Sequence, residues 1–217
     1  LYFRSGADFG MLTHFYDPNY RIADHAGSPV KTIIDAGANI GVESLRFRHN
    51  HPAAHIVAIE PDSGNFDVLS RNCEGDSDIE PLNVALWSGP ATLALRDGPG
   101  NEAFQVTTET TSGPLVEAIS MEDILARTGW PRISILKLDI EGAEHELFST
   151  GADRWIGQVD CIIMEISDTD RAGTAQILFK ALDSQDFNAE ILGENIVLIR
   201  PETGWRLEPQ IDYRRPS

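Results

Sequence analysis

The sequence predicts an α/β protein, a Rossmann-like three-layer sandwich built on a mostly parallel sheet. Three observations carry this reading. Short β-branched runs alternate with helical segments along most of the 217 residues. The runs end in polar residues beside turn signals, as strands do when they feed helices across a sheet. The last two runs, 188–192 and 196–200, fold back around Gly193-Glu194-Asn195, which places an antiparallel strand at the end of the sheet.

Thr32-Ile33-Ile34-Asp35-Ala36 is the first core strand, ended by Gly37. A tight loop from Gly37 to Gly41 leads into a helix over 42–49, stopped by Asn50-His51-Pro52. Residues 55–60 form the second strand. Pro61-Asp62 then opens a helix through about Cys73, with Phe66, Leu69 and Cys73 on one face. Residues 82–86 read as the third strand. Segments 91–96 and 104–108 read as a hairpin or extension around Asp97-Gly98-Pro99-Gly100. Ser120-Met121-Glu122-Asp123 matches a capping box opening a short helix. The fourth strand spans 133–138, a helix 141–150, the fifth strand 159–166 and a long helix 172–186. The core domain therefore covers 32–200. An aromatic-rich cap (1–31), with a turn at Asp17-Pro18-Asn19, precedes it and a tail (201–217) follows.

Composition narrows the function classes. Seventeen basic against 34 acidic residues give a net charge of −17, which repels phosphate backbones and anionic membrane surfaces. Nucleic acid and membrane are thus excluded as expected partners. No apolar run reaches the ~18 residues of a membrane helix. The two cysteines, Cys73 and Cys161, form no CxxC pair and suit a reducing compartment, so the expected location is cytoplasmic. The chain opens Leu1-Tyr2-Phe3-Arg4 without methionine, which reads as the interior of a longer chain or a protease-site remnant.

In an open α/β sheet, ligands bind beyond the carboxyl ends of the strands. Those ends are Asp35, Glu60, Asn83, Asp139 and Glu165, four of them acidic. Such a crevice suits a ligand with hydroxyls and a positive charge. The first loop, Asp35-Ala36-Gly37-Ala38-Asn39-Ile40-Gly41, lacks the dinucleotide fingerprint because Asn39 and Val42 stand where glycines would be needed. Gly37 permits a tight turn and Gly41 close packing at the helix start. Glu60 lies 19 residues past Gly41, where a carboxylate meets ribose hydroxyls. S-adenosylmethionine fits these terms: adenosine, no phosphate, a sulfonium cation.

A second cluster runs Lys137-Leu138-Asp139-Ile140-Glu141-Gly142-Ala143-Glu144-His145-Glu146. Lys137 and Asp139 share a strand face. A lysine in an apolar strand needs a partner, and Asp139 or Glu165 could supply it. Glu141 and His145 share a helix face. The histidines at 49, 51 and 55 read as a surface turn, Asp76-Ser77-Asp78 lacks the remainder of a calcium loop, and no HExxH occurs, so no metal is expected.

The segments IIDAGANIG, IVAIEPD, NVALW, ILKLDIEGAEHELF and the opening FRSGADFGML resemble the FkbM family of S-adenosylmethionine-dependent methyltransferases over nearly the whole chain. The resemblance implies a class I methyltransferase fold, a seven-stranded sheet with an antiparallel last strand. It implies cofactor contacts at Asp35, Gly37, Ala38, Asn39, Gly41, Glu60, Pro61, Asn83, Val84 and Asp139. Lys137, Asp139, Glu141 and Glu144 match the family's second motif, of which His145 is not a fixed part.

The expected activity is O-methylation of a hydroxyl on a sugar, polyketide or other small metabolite. The acceptor is shaped by the cap and the 87–118 region, where loops carry specificity. An alcohol needs a base. Asp139 is the first candidate, with His145 and Glu165 behind it, and Lys137 orients the acid or stabilises an alkoxide. A nicotinamide oxidoreductase on a similar sheet and a non-catalytic cofactor-binding protein are the alternatives. An isologous homodimer through an edge strand is compatible with the sequence.

Overall fold

The computed structural model describes residues 1–4, 22–24, 27–97, 104–108, 113–140, 142–165, 172–192 and 195–208. The Asp17-Pro18-Asn19 turn, the Gly98-Pro99-Gly100 turn and Glu141 lie outside the described residues. In chain order the elements are β1 (Ile22–Ala23), β2 (Thr32–Ala36), α1 (Val42–Asn50), β3 (His55–Ile59), α2 (Ser63–Asn72), β4 (Ile79–Leu82), β5 (Ala85–Leu86), β6 (Ala91–Asp97), β7 (Phe104–Thr107), β8 (Leu115–Ile119), α3 (Met121–Thr128), β9 (Ile133–Leu138), α4 (Glu144–Ser149), β10 (Val159–Glu165), α5 (Thr174–Leu182), β11 (Asn188–Leu192), β12 (Asn195–Ile199) and β13 (Arg206–Leu207).

The central sheet has seven strands in the order β4-β3-β2-β9-β10-β12-β11. Strands β4, β3, β2, β9 and β10 run parallel, and β12 is antiparallel to both its neighbours. The antiparallel strand lies one place in from the edge. Burial explains this order: Ile196, Val197, Leu198 and Ile199 are all buried, whereas β11 carries Asn188 and Glu190 and is mostly exposed.

Alternation along the strands builds a core on each face. On one side Ile33, Ile56, Ala58, Ile135 and Ile163 pack with Phe47 of α1 and Leu69 of α2. On the other, Ile34, Ala36, Ile59, Leu136 and Leu138 pack with Met121 and Ile124 of α3, Leu147 and Phe148 of α4 and Leu178 of α5. Fully burying such side chains stabilises by about 1.5–3 kcal/mol each. Ser120 caps α3 by the reciprocal side-chain bonds of a capping box with Asp123.

Three predicted elements differ from the sequence reading, which also has no strand where β8 lies. Residues 82–86 are not one strand: β4 ends in the central sheet and β5 starts a separate four-stranded sheet, ordered β5-β8-β6-β7. The break falls at Asn83, whose amide Nδ2 donates to the carbonyls of Glu60 at 2.9 Å and Pro61 at 3.0 Å. Helix α4 begins at Glu144, after Gly142 at φ +86 has turned the chain. Helix α5 begins at Thr174, where Gly173 at φ +88 sets its start, and ends at Leu182. Among the described residues, no helix is long and apolar enough to cross a membrane.

Candidate active site

The site is built where β2 and β9 lie side by side, since their following connections run to opposite halves of the sheet. The backbone closes the first loop tightly. Gly37 and Ala38 amides both donate to the Ile59 carbonyl, at 3.0 and 2.9 Å, and the Asp139 amide donates to the Ala36 carbonyl at 3.0 Å. Gly37 has φ +76, and a Cβ built on it would stand 1.8 Å from the Asp139 carbonyl oxygen. Asn39 holds a left-handed conformation at φ +48, and Gly41, at φ +87, caps α1.

Glu60 follows β3 directly and is buried, with 4% of its surface exposed. Its Oε2 accepts the Asn39 amide at 2.8 Å and its Oε1 accepts the Asp62 amide at 2.9 Å. Burial pushes its carboxyl up to about 7, against the opposing pull of those amides and of Asn65. Asn83 lies on the surface and clamps the Glu60-Pro61 carbonyls. Val84, half-buried, packs on the main core.

Lys137 sits level with Asp35 across the β2–β9 ladder. Its Nζ is 3.1 Å from Asp139 Oδ2, 3.4 Å from the Gly37 carbonyl and 3.7 Å from Asp35 Oδ1. Burial alone would pull the ammonium down, but the Asp139, Asp35 and Glu43 carboxylates outweigh it and hold the group above its ordinary value. Asp35 is fully enclosed and accepts the Ser44 hydroxyl at 2.5 Å. Asp139 is half-exposed, with one carboxylate oxygen committed to Lys137. Glu43 on α1 was not foreseen. It pairs with Arg46 at 2.5 Å, while burial pushes its carboxyl up to about 7.

Glu144 has a local task. Its two oxygens accept the amides of Ile140 at 3.0 Å and Gly142 at 2.8 Å, fixing the loop that carries Asp139. His145 is half-buried, and its Nδ1 has no hydrogen-bond partner among the described residues. Glu165 ends β10 on the surface. Met164 pairs level with Leu138, so Glu165 reaches the same end of the sheet as Asp139. Ser44 and Asn65 also escaped the sequence reading, because neutral residues in helices carry no local mark of a distant carboxylate.

The methyltransferase FkbM domain profile matches residues 35–191. The chain belongs to the FkbM methyltransferase family. It is 33% identical over 176 residues to methyltransferase sdnD of Sordaria araneosa, covering 65% of this chain and 67% of that protein. It is 27% identical over 135 residues to the hexuronic acid methyltransferase AglP of Haloferax volcanii, covering 61% of this chain and 54% of that protein. Among solved structures, the FkbM methyltransferase of Methylobacillus flagellatus KT superimposes with a TM-score of 0.55 at 16% identity, over 78% of this chain and 43% of that one. The FkbM match takes in the glycine loop, Glu60, the Lys137–Asp139 pair, His145 and Glu165. The fold is that of class I methyltransferases and the protein is a methyltransferase, which sets aside the nicotinamide alternative.

Proposed function

We propose that this FkbM methyltransferase transfers a methyl group from S-adenosylmethionine to a hydroxyl of a small-molecule acceptor. The observation that carries the reading is the Glu60 carboxylate, fixed by the Asn39 and Asp62 amides beside the glycine loop, with β2 alone between its strand and the Lys137–Asp139 end of the crevice. The donor set fits the cofactor. Carboxylates suit ribose hydroxyls and a cation, and Lys137 is turned toward Asp35 and Asp139 rather than arranged in a phosphate cradle. Glu60 would hold the ribose, with the loop Gly37–Gly41 and Asn83 beside it.

When bound, S-adenosylmethionine supplies a methyl group already activated on sulfur. The chain's own work is to align the acceptor and remove its proton. Lys137 holds one oxygen of Asp139 and leaves the other to take that proton. His145 and Glu165 are the further bases at the same end. The name of the Haloferax relative supports an acidic sugar among the acceptors to be tried first.

Tritiated-methyl transfer to a panel of sugars, uronic acids and polyketide alcohols tests the proposal. An alkali-stable methyl ether is the expected product. An alkali-labile ester would move the reaction to a carboxylate acceptor. Absence of S-adenosylmethionine binding by calorimetry would overturn the reading.

A further inference from the structure

Residues 2–4 lie against α2 and against the loop after β2. Asn72, the last residue of α2, joins the two. Its Oδ1 accepts the Tyr2 amide, and its Nδ2 donates to the Tyr2 carbonyl at 3.2 Å and the Ile40 carbonyl at 2.8 Å. Phe3 packs on Ile40, Val42 and Val68. Two further contacts hold the segment. The Arg4 guanidinium donates to Asn65 Oδ1, and the Arg71 guanidinium stands 4.8 Å from the centre of the Tyr2 ring.

Ile40 is the middle of the loop's sharpest stretch. Asn39 before it and Gly41 after it are both left-handed, at φ +48 and φ +87. The inner side of the loop is tied by the Gly37 and Ala38 amides to the Ile59 carbonyl and by the Asn39 amide to Glu60. The outer side is tied at Ile40, through its carbonyl to Asn72 and through its fully buried side chain to Phe3. The Ile40 carbonyl and the Asn39 amide belong to adjoining residues, so play at the outer tie reaches the hydrogen bond that fixes Glu60.

An asparagine amide can present either its oxygen or its nitrogen to a neighbour. A backbone amide only donates, so the docked Tyr2 takes Oδ1 and leaves Nδ2 for the Ile40 carbonyl. We infer that Asn72 is a positioning residue for the cofactor loop, locked in its working orientation by residues 2–4, which act as a strap. Docking of the strap and occupation of the Gly37–Gly41 loop then support each other. Such coupling is reciprocal: what the strap adds to ligand affinity, the ligand returns to the strap. The inference rests on the reading of that loop and Glu60 as the S-adenosylmethionine site.

Titration calorimetry with S-adenosylhomocysteine, on variants shown to be folded by circular dichroism, reads one direction of the coupling. Asn72→Asp keeps an acceptor for Tyr2 and removes the donor to Ile40, and it should weaken binding about fivefold, the worth of one hydrogen bond. Phe3→Ala loosens the strap without touching Asn72 and should weaken binding by a similar factor. Leu207→Ala trims a different terminal contact, in the two-stranded sheet of β1 and β13, and should leave affinity unaltered. NMR of the Asn72 side-chain amide, assigned by its loss in Asn72→Asp, reads the other direction. Saturating S-adenosylhomocysteine should slow its hydrogen exchange with water, and ligand-free Phe3→Ala should speed it. Unaltered affinity in both Asn72→Asp and Phe3→Ala, equal weakening in Leu207→Ala, or an exchange rate that the ligand does not move would overturn the role of Asn72 and the strap. Unchanged affinity in Glu60→Gln would instead overturn the ribose reading, and no binding by the unaltered protein would overturn the cofactor site and the strap's role together.

Discussion

The carbonyl oxygen of Asp139 occupies the space that a side chain on Gly37 would need, 1.8 Å from its first atom. The glycine loop and the end of β9 are thus one packed unit. Gly37→Ala forces an alanine into φ +76 and a carbonyl out of place. It should cost about 2–5 kcal/mol, the sum of a left-handed penalty and overpacking. Chemical denaturation measures this directly. Cofactor binding should weaken together with stability, so a variant that binds poorly at unaltered stability would contradict the packing argument.

Lys137 bridges two carboxylates, Asp139 at 3.1 Å and Asp35 at 3.7 Å. Lys137→Met leaves Asp35 buried without its cation and should destabilise by about 3–5 kcal/mol. Adding Asp35→Asn should recover a large part of that loss, because the uncompensated charge is then gone. A double-mutant cycle in urea gives the coupling, and strict additivity would show that the 3.7 Å pair does not matter.

Glu60 should impose opposite pH trends on stability and on binding. Its folded value, about 7, lies above the ordinary 4.5, because burial penalises the charge. The folded protein therefore keeps a proton that the unfolded chain releases between those values. The stability from Glu60 is fully present below pH 4.5 and is lost as pH rises through about 7, up to about 3 kcal/mol at 1.36 kcal/mol per unit. Ribose hydroxyls need the ionised form, so S-adenosylmethionine affinity should climb over the same range. Glu60→Gln should flatten both curves in paired denaturation and calorimetry series.

Asp139→Asn preserves shape and removes the proton acceptor. Single-turnover methyl transfer should fall by ~10²–10⁴, the general-base range, with a much smaller change in cofactor affinity. The same loss in His145→Ala, with Asp139→Asn near the unaltered rate, would move the base to α4. Equal losses of affinity and rate in Asp139→Asn would make it a cofactor ligand.

The parts of the site legible in sequence were those set by backbone periodicity. Asp35, Glu60, Lys137 and Asp139 sit near the ends of strands whose alternation fixes their faces. The Gly37–Gly41 spacing marks a turn whatever surrounds it. What escaped depends on contacts between distant segments. Residues 82–86 read as one strand because nothing local announces that Asn83 bonds to the carbonyls of Glu60 and Pro61. Glu144 read as one acid of a motif, while its carboxylate closes the loop after β9. Arg4 and Asn65 are 61 positions apart, a separation that no periodicity links.

Strands β5 and β8 are hydrogen-bonded neighbours, so the chain leaves the small sheet's first strand and returns to it at one place. Everything from Trp87 to Pro114 is an excursion with adjoining entry and exit points. Its strands β6 and β7 pair with none of the strands of the central sheet. The stretch can therefore be exchanged at a single seam without cutting a strand of the central sheet.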